Sequence, residues 1–284
     1  MNIRVFTDSI LVRKAVLTFS GWPDAGKLVQ FALDRLKGMT SHQPAAHWDL
    51  DGFWHTEAVR PQISAQHGQI QRMEWPAYQF LLVNEDFSHG PVLYGEGPEP
   101  SLSWRSFARQ LIELLKGWGC EQIILLGSML DQVFHDEIII SCVVQDSSSY
   151  NVALQEGCQL IAYDGPSAVH AAVMAEAKQA KMGCMSFWAH LPFYLNGPHE
   201  LIAARLLGIL GHLLGRDLAA EDLVNAWKER EQQIEQIIGQ DQGLRQTLES
   251  LKQQKVMKKT APAGKVVRFE DFLKKRNHTD PERE

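Results

Sequence analysis

The chain has 284 residues, 45% hydrophobic and 22% charged, which fits one large α/β domain with an appendage and excludes a wholly disordered protein. The formal net charge of −6 argues against a nucleic-acid partner. No run approaches the roughly 20 uninterrupted apolar residues that span a bilayer, so no membrane partner is expected.

In chain order, Arg4, Asp8, Arg13 and Lys14 interrupt any apolar leader, which points to a cytoplasmic protein. Residues 15–20 read as a short buried strand. The loop after it, Gly21, Trp22, Pro23, Asp24, Ala25, Gly26, Lys27 and Leu28, nearly matches the phosphate-binding pattern G-x-x-x-x-G-K-[ST]. Leu28 stands where a Mg²⁺-binding hydroxyl belongs, and Pro23 removes a backbone donor, so a tight strand-to-helix turn capped by Asp24 is expected instead. His42, His47 and His55 lack metal-ligand spacing and read as loop residues.

Residues 78–84 and 122–127 are nearly continuous in apolar residues, the pattern of strands covered on both faces; 137–144, 159–163 and 184–189 read the same way. Between them, residues 101–118 carry Trp104, Phe107, Ala108, Leu111, Leu114, Leu115 and Trp118 at 3–4 spacing, a helix that Ser101 or Ser103 would cap. His135, Asp136 and Glu137 read as a surface loop. Residues 167–182 are helical and Ala-rich; 201–214, with Pro198 in the first turn and Gly215 at the stop, are apolar nearly all round. Strands alternating with helices over this length imply three α/β/α layers around a largely parallel sheet. Cys120, Cys142, Cys158 and Cys184 form no C-x-x-C pair and are expected as buried thiols. Neither a metal nor a cofactor is called for, and no G-x-S-x-G elbow surrounds Ser9, Ser20, Ser128 or Ser186.

Beyond residue 216 the pattern changes. Leu223, Trp227, Ile234, Ile237, Leu244, Leu248 and Leu251 form an apolar seam between Gln-rich faces, either a helical hairpin turning at Gly239 and Gly243 or one long helix. Such a stripe needs the body or another subunit to cover it. Residues 257–284 hold eight Lys or Arg against five Asp or Glu, a net of +3 that leaves −9 for the rest, and read as a mobile basic tail. The expected organisation is therefore a 1–216 core, a 217–256 helical segment and a 257–284 tail.

Trp188, His190, Pro192 and Tyr194 follow an apolar strand. Two readings stand equal: a pocket at the carboxyl end of the sheet, or packing of Trp188 and Tyr194 beneath the 201–214 helix.

The ordered motifs resemble the proteasome assembly chaperone 2 family, in its bacterial-type form. They are the Gly21–Gly26 loop; Asp49 and Asp51 ahead of Arg60 and Pro61; Gly97, Glu99 and Pro100 before Trp104 and Phe107; Leu126 with Gly127; Tyr163, Gly165 and Pro166; and Ser186 through Tyr194. The resemblance implies a phosphorylase/hydrolase-like fold and self-association into small oligomers. Relatives in eukaryotes and archaea chaperone proteasome assembly, while bacterial members have no settled activity and some carry an ATP-grasp-like label. The chain departs from the family at residues 133–137, which lack its Arg and Pro, at Phe193, where a His is usual, and at Glu282, Arg283 and Glu284, where archaeal members end in a hydrophobic-Tyr motif. The expectation is a homo-oligomeric, non-catalytic interaction protein with a protein partner, its seam forming the subunit contact. The alternative is a small-molecule enzyme or sensor, nucleoside-phosphorylase-like or ATP-grasp-like, with an anionic or nucleotide ligand. Its pocket would combine Trp22, Asp24, Gly26, Lys27, Arg60, Glu99, Gly165, Pro166, Trp188, His190 and Tyr194. There Lys27 and Arg60 would hold the anion, and Asp24 or Glu99 would act as base.

Overall fold

The computed structural model describes residues 2–7, 10–84, 87 and 90–260. The strands are β1 Ile3–Val5, β2 Lys14–Ser20, β3 His42–Asp49, β4 Gln62–Gln66, β5 Gln69–Glu74, β6 Ala77–Val83, β7 Val92–Pro98, β8 Gln122–Asp131, β9 Ile140–Val144, β10 Gln159–Leu160 and β11 Gly183–Pro192. The helices are α1 Leu28–Gly38, α2 Trp104–Gly117, α3 Ser147–Gln155, α4 Val169–Gln179, α5 Glu200–Leu214, α6 Glu221–Gln240 and α7 Gln242–Thr260. Contacts divide the chain into two units, Met1–Glu231 and a second that begins at Gln232.

In the first unit, nine strands form one sheet in the order β1-β3-β6-β7-β2-β8-β11-β9-β10. The expectation of a largely parallel sheet holds only at its centre. There β7, β2, β8 and β11 run parallel, whereas β6, β3 and β1 on one side and β9 on the other join antiparallel. Period-two alternation divides the side chains of these strands between two cores. One face carries Val16, Ile124, Leu126, Phe187 and Leu191, packed with residues of α1 and α5. The other carries Leu17, Phe19, Ile123, Leu125 and Cys184, packed with residues of α2 and α4. The result is a three-layer α/β/α sandwich with helices in its C-terminal part.

Local chemistry explains the main elements. Helix α2 buries Phe107, Ala108, Leu111 and Leu115 of the predicted stripe together with Ile112, while Trp104, Leu114 and Trp118 are half-buried. Its start differs from expectation: Ser103 takes φ 54° with no side-chain capping bond, and the Ser101 hydroxyl accepts from the His55 amide instead. Helix α5 is buried nearly all round and ends at Gly215 in the left-handed conformation, as predicted. Pro198 lies before the first turn, because His199 holds the cap position and accepts from Ile202. All four cysteines are buried and free. Burial pushes their thiols up, to about 12 for Cys120 and Cys142 and about 11 for Cys158.

Strands β4 and β5 form a separate two-stranded ribbon with every residue exposed. Its turn, His67 and Gly68, has positive φ at both positions, which the two-residue hairpin connection requires. Ile63, Ile70 and Met73 are exposed on it.

The seam residues divide between the units. In the first, Leu223 and Trp227 are buried, with the Trp227 ring stacked 3.7 Å from His199. In the second, Ile234, Leu248 and Leu251 are buried, Leu244 is half-buried and Ile237 is exposed. Asp241 alone separates α6 from α7, and its carboxylate accepts from the Leu244 amide. Residues 257–260 of the expected basic tail belong to α7; the rest of it lies outside the described residues, as does Ser9.

Candidate functional site

The loop after β2 is pinned to two neighbouring strands. The Ser128 amide donates to Pro23 at 2.8 Å, and its hydroxyl donates to Ala25 at 2.9 Å. Gly26 takes φ 62°, and a Cβ there would meet Gly197 O at 2.7 Å and a Leu191 methyl at 2.8 Å, so the loop closes only with glycine. The Asp24 carboxylate accepts from the amides of Val29 at 2.7 Å and Gln30 at 3.2 Å. It thereby fills the anion position at the start of α1 that a phosphate loop would leave open. Burial raises the Asp24 pKa, partly offset by those amide bonds.

This folding brings Trp22 within 6.3 Å of Trp188, ring centre to ring centre. The two form part of a cavity of about 410 Å³ at the carboxyl ends of β8 and β11, roofed by the segment around residues 161–168 and the first turns of α4. Its walls include Met129, Val143, Ile161, Tyr163, Met174 and Trp188. Its polar groups include Asp131, Ser141, His170, Ser186 and His190. Gly127 makes room for the Trp188 ring: a Cβ there would lie 2.9 Å from Trp188 Cε3 and 3.1 Å from His170 Cε1.

The polar groups are organised. Nδ1 of His190 lies 2.7 Å from Oδ2 of Asp131, and its Nε2 lies 2.8 Å from Oγ of Ser141. Nδ1 of His170 lies 2.9 Å from Oγ of Ser186, whereas Nε2 has no hydrogen-bond partner among the described residues. His170 is 2% exposed, and burial pushes its pKa down to about 3, which keeps the ring neutral.

Of the predicted ligand set, Trp22, Pro166, Trp188 and His190 line this cavity. The others stand elsewhere. Asp24 lines a second cavity of about 280 Å³ with Lys37 and Glu96, which pair with each other at 3.0 Å. Glu99 accepts from the Val169 amide at 2.8 Å and so caps α4; burial raises its pKa. Lys27 and Arg60 are exposed and line neither cavity. Gly165 sits against the Tyr163 ring, outside the lining. The Tyr194 hydroxyl accepts from the His135 amide at 2.8 Å. His135 is buried, contrary to the surface loop expected there, because its ring also meets Tyr194 and its carbonyl bonds His199. Trp188 packs on His170 of α4 at 4.9 Å, on the sheet face opposite α5, so it does not lie beneath the 201–214 helix.

Residue-by-residue reading missed Ser141, Asp131 and His170. The available signal was alternation: Ser186, Trp188 and His190 fall at every second position of an otherwise apolar strand.

No helix among the described residues is long and apolar enough to cross a membrane, and no group of three or more potential metal ligands occurs among them. Comparison with curated proteins yields no match. Solved structures do match. A proteasome-assembly chaperone homologue of Mycobacterium tuberculosis superposes with a TM-score of 0.74 at 24% identity, over 82% of this chain and 98% of that one. A PAC2 family protein of Streptomyces avermitilis gives 0.69 at 23% identity, over 79% and 95%. An archaeal proteasome activator of Pyrococcus furiosus gives 0.64 at 13% identity, over 83% and 98%. The PAC2 family model itself matches residues 18–238, most of the chain and all of the cavity, and the chain therefore belongs to the PAC2 family.

Proposed function

We propose that this chain is an assembly-chaperone-like interaction protein that self-associates and binds a protein partner. Family membership supports the class, since solved relatives of the same fold are described as a proteasome-assembly chaperone homologue and a proteasome activator. The observation that carries the interaction is the β4–β5 ribbon, where Ile63, Ile70 and Met73 stand exposed at 57%, 63% and 43%, with Trp75 beside them at 54%. A soluble monomer rarely leaves such side chains grouped in water unless a partner covers them. Ile237 is the exposed member of the seam predicted as a subunit contact. Four buried free thiols agree with a reducing, cytoplasmic setting. The test is sedimentation velocity across a concentration series, on the natural chain and on a double variant, Ile63→Ser with Ile70→Ser. Concentration-dependent association that the variant loses is the expected result; a natural chain that stays monomeric into the high micromolar range removes self-association.

A second reading, a small-molecule site, is favoured by the 410 Å³ cavity, which falls within the size range of ligand pockets. No Lys or Arg lines it among the described residues, so an uncharged ligand suits it better than the anionic one the sequence suggested.

A further inference from the structure

Three adjacent strands each contribute one member of a hydrogen-bonded set in the cavity wall. Ser141 comes from β9, His190 from β11 and Asp131 from β8. Cross-strand register brings them together: Ser141 lies opposite Trp188, Met129 opposite His190, and Asp131 opposite Pro192. With side chains alternating in period two, Ser141, His190 and Asp131 fall on one face. The resulting order is hydroxyl, imidazole, carboxylate, at 2.8 Å and 2.7 Å, with both ring nitrogens engaged. Nucleophilic acyl transfer needs that order, because the carboxylate fixes the ring so that Nε2 accepts the hydroxyl proton.

A second observation points to a ligand. Nε2 of the neutral, buried His170 lines the same cavity without a hydrogen-bond partner among the described residues. In the tautomer whose Nδ1 accepts from the Ser186 hydroxyl, Nε2 carries the ring proton. A donor left open in an apolar wall fits an oxygen brought by a guest.

We propose that Ser141 and His190, positioned by Asp131, hydrolyse small uncharged esters with apolar acyl groups, and that the Nε2–H of His170 donates to the bound ester. The mainly apolar walls, with no Lys or Arg in the lining among the described residues, set the substrate class. In the first step Ser141 Oγ bonds to the carbonyl carbon and its proton passes to His190 Nε2. The ester C–O bond then breaks, and the alcohol leaves with that proton. In the second step a water oxygen bonds to the acyl carbon, giving its proton to His190. The bond to Ser141 breaks, Oγ recovers the proton, and the acid leaves.

The inference rests on the cavity being a small-molecule site, and its test separates the two. The full chain is treated with an alkyl fluorophosphonate and the labelled peptide mapped, p-nitrophenyl butyrate turnover is followed, and butyrophenone binding is read from quenching of tryptophan fluorescence. Labelling at Ser141, and turnover that falls about 1,000-fold or more in Ser141→Ala, is the expected result. Asp131→Asn should lower kcat/KM about 100-fold or more and displace the acid limb of its pH profile, which a purely structural loss would leave in place. Butyrophenone binding without labelling at Ser141 overturns the chemistry and leaves the ligand site standing. No labelling and no binding overturns both. Mapping the natural chain requires no variant, so a misfolded Ser141→Ala cannot obscure the answer.

Discussion

Two histidines, His170 and His190, line one cavity, and each meets one serine. Among the described residues, only His190 also meets a carboxylate. Asp131 sits at the last position of β8, with a side chain 43% exposed, so a charge remains affordable there. His170 lies in the first turn of α4, is almost wholly buried, and has no acid in hydrogen-bond reach among the described residues. Burial alone decides its protonation, and the ring stays neutral. Equal side chains thus acquire different chemistry from whether a strand end delivers a negative partner.

The largest effect should come from breaking the wall both histidines share. Gly127→Val drives a side chain into Trp188 and His170, and should lower the urea-unfolding free energy by about 3 kcal/mol. A loss below about 1 kcal/mol would mean that Trp188 gives way freely.

Acid sharpens the contrast. His170 binds its proton at pKa about 3 when folded and about 6.5 when unfolded, so the unfolded state takes up protons first as pH falls. Its contribution is intact above about pH 6.5 and is lost progressively down to about pH 3. Between pH 7 and pH 5 it amounts to about 2 kcal/mol. His199, pushed down to about 4 by burial, acts in the same sense. Urea titrations at both pH values should show His170→Gln to be less acid-sensitive than the natural chain; equal slopes would contradict a neutral His170.

The serines separate the pairs further. Ser186→Ala leaves both nitrogens of a buried ring unpartnered and should cost about 2 kcal/mol, while Ser141→Ala leaves His190 still bonded to Asp131 and should cost about 1 kcal/mol. Thermal unfolding of the two variants gives the order, and a reversed order would remove the distinction. The smallest effects belong to Lys27→Ala and Arg60→Ala. Neither side chain lines the cavity, so stability should change by no more than about 0.5 kcal/mol and butyrophenone affinity not at all. A tenfold affinity loss in either would return that side chain to the ligand site, as the sequence suggested.

How much of this was legible in the residues depends on the range of the interaction. Strands such as β6 and β8, and helices α2 and α5, declare themselves through apolar runs and stripes whose period reports the local backbone. The β4–β5 ribbon carries no buried face, and only the His67–Gly68 pair between alternating segments marks it. Helix α3 opens with three serines, poor helix formers, and depends on Asp146 accepting from the Ser149 amide. The antiparallel flanks of the sheet depend on register between distant segments. The approach of Trp22 to Trp188 was visible as ordered motifs, with Trp22 in the loop just past β2 and Trp188 within β11. The Ser141, His190 and Asp131 set was not, because it exists only once three strands align.

The cysteines offer a practical consequence. Since Cys120, Cys142, Cys158 and Cys184 are all shielded and their thiols are held well above neutral pH in the protonated form, maleimide reagents should pass them by in the folded molecule. One new cysteine on the outer ribbon, at Gln71 for instance, would then be the sole attachment point for a dye or spin label, and the natural background need not be engineered away.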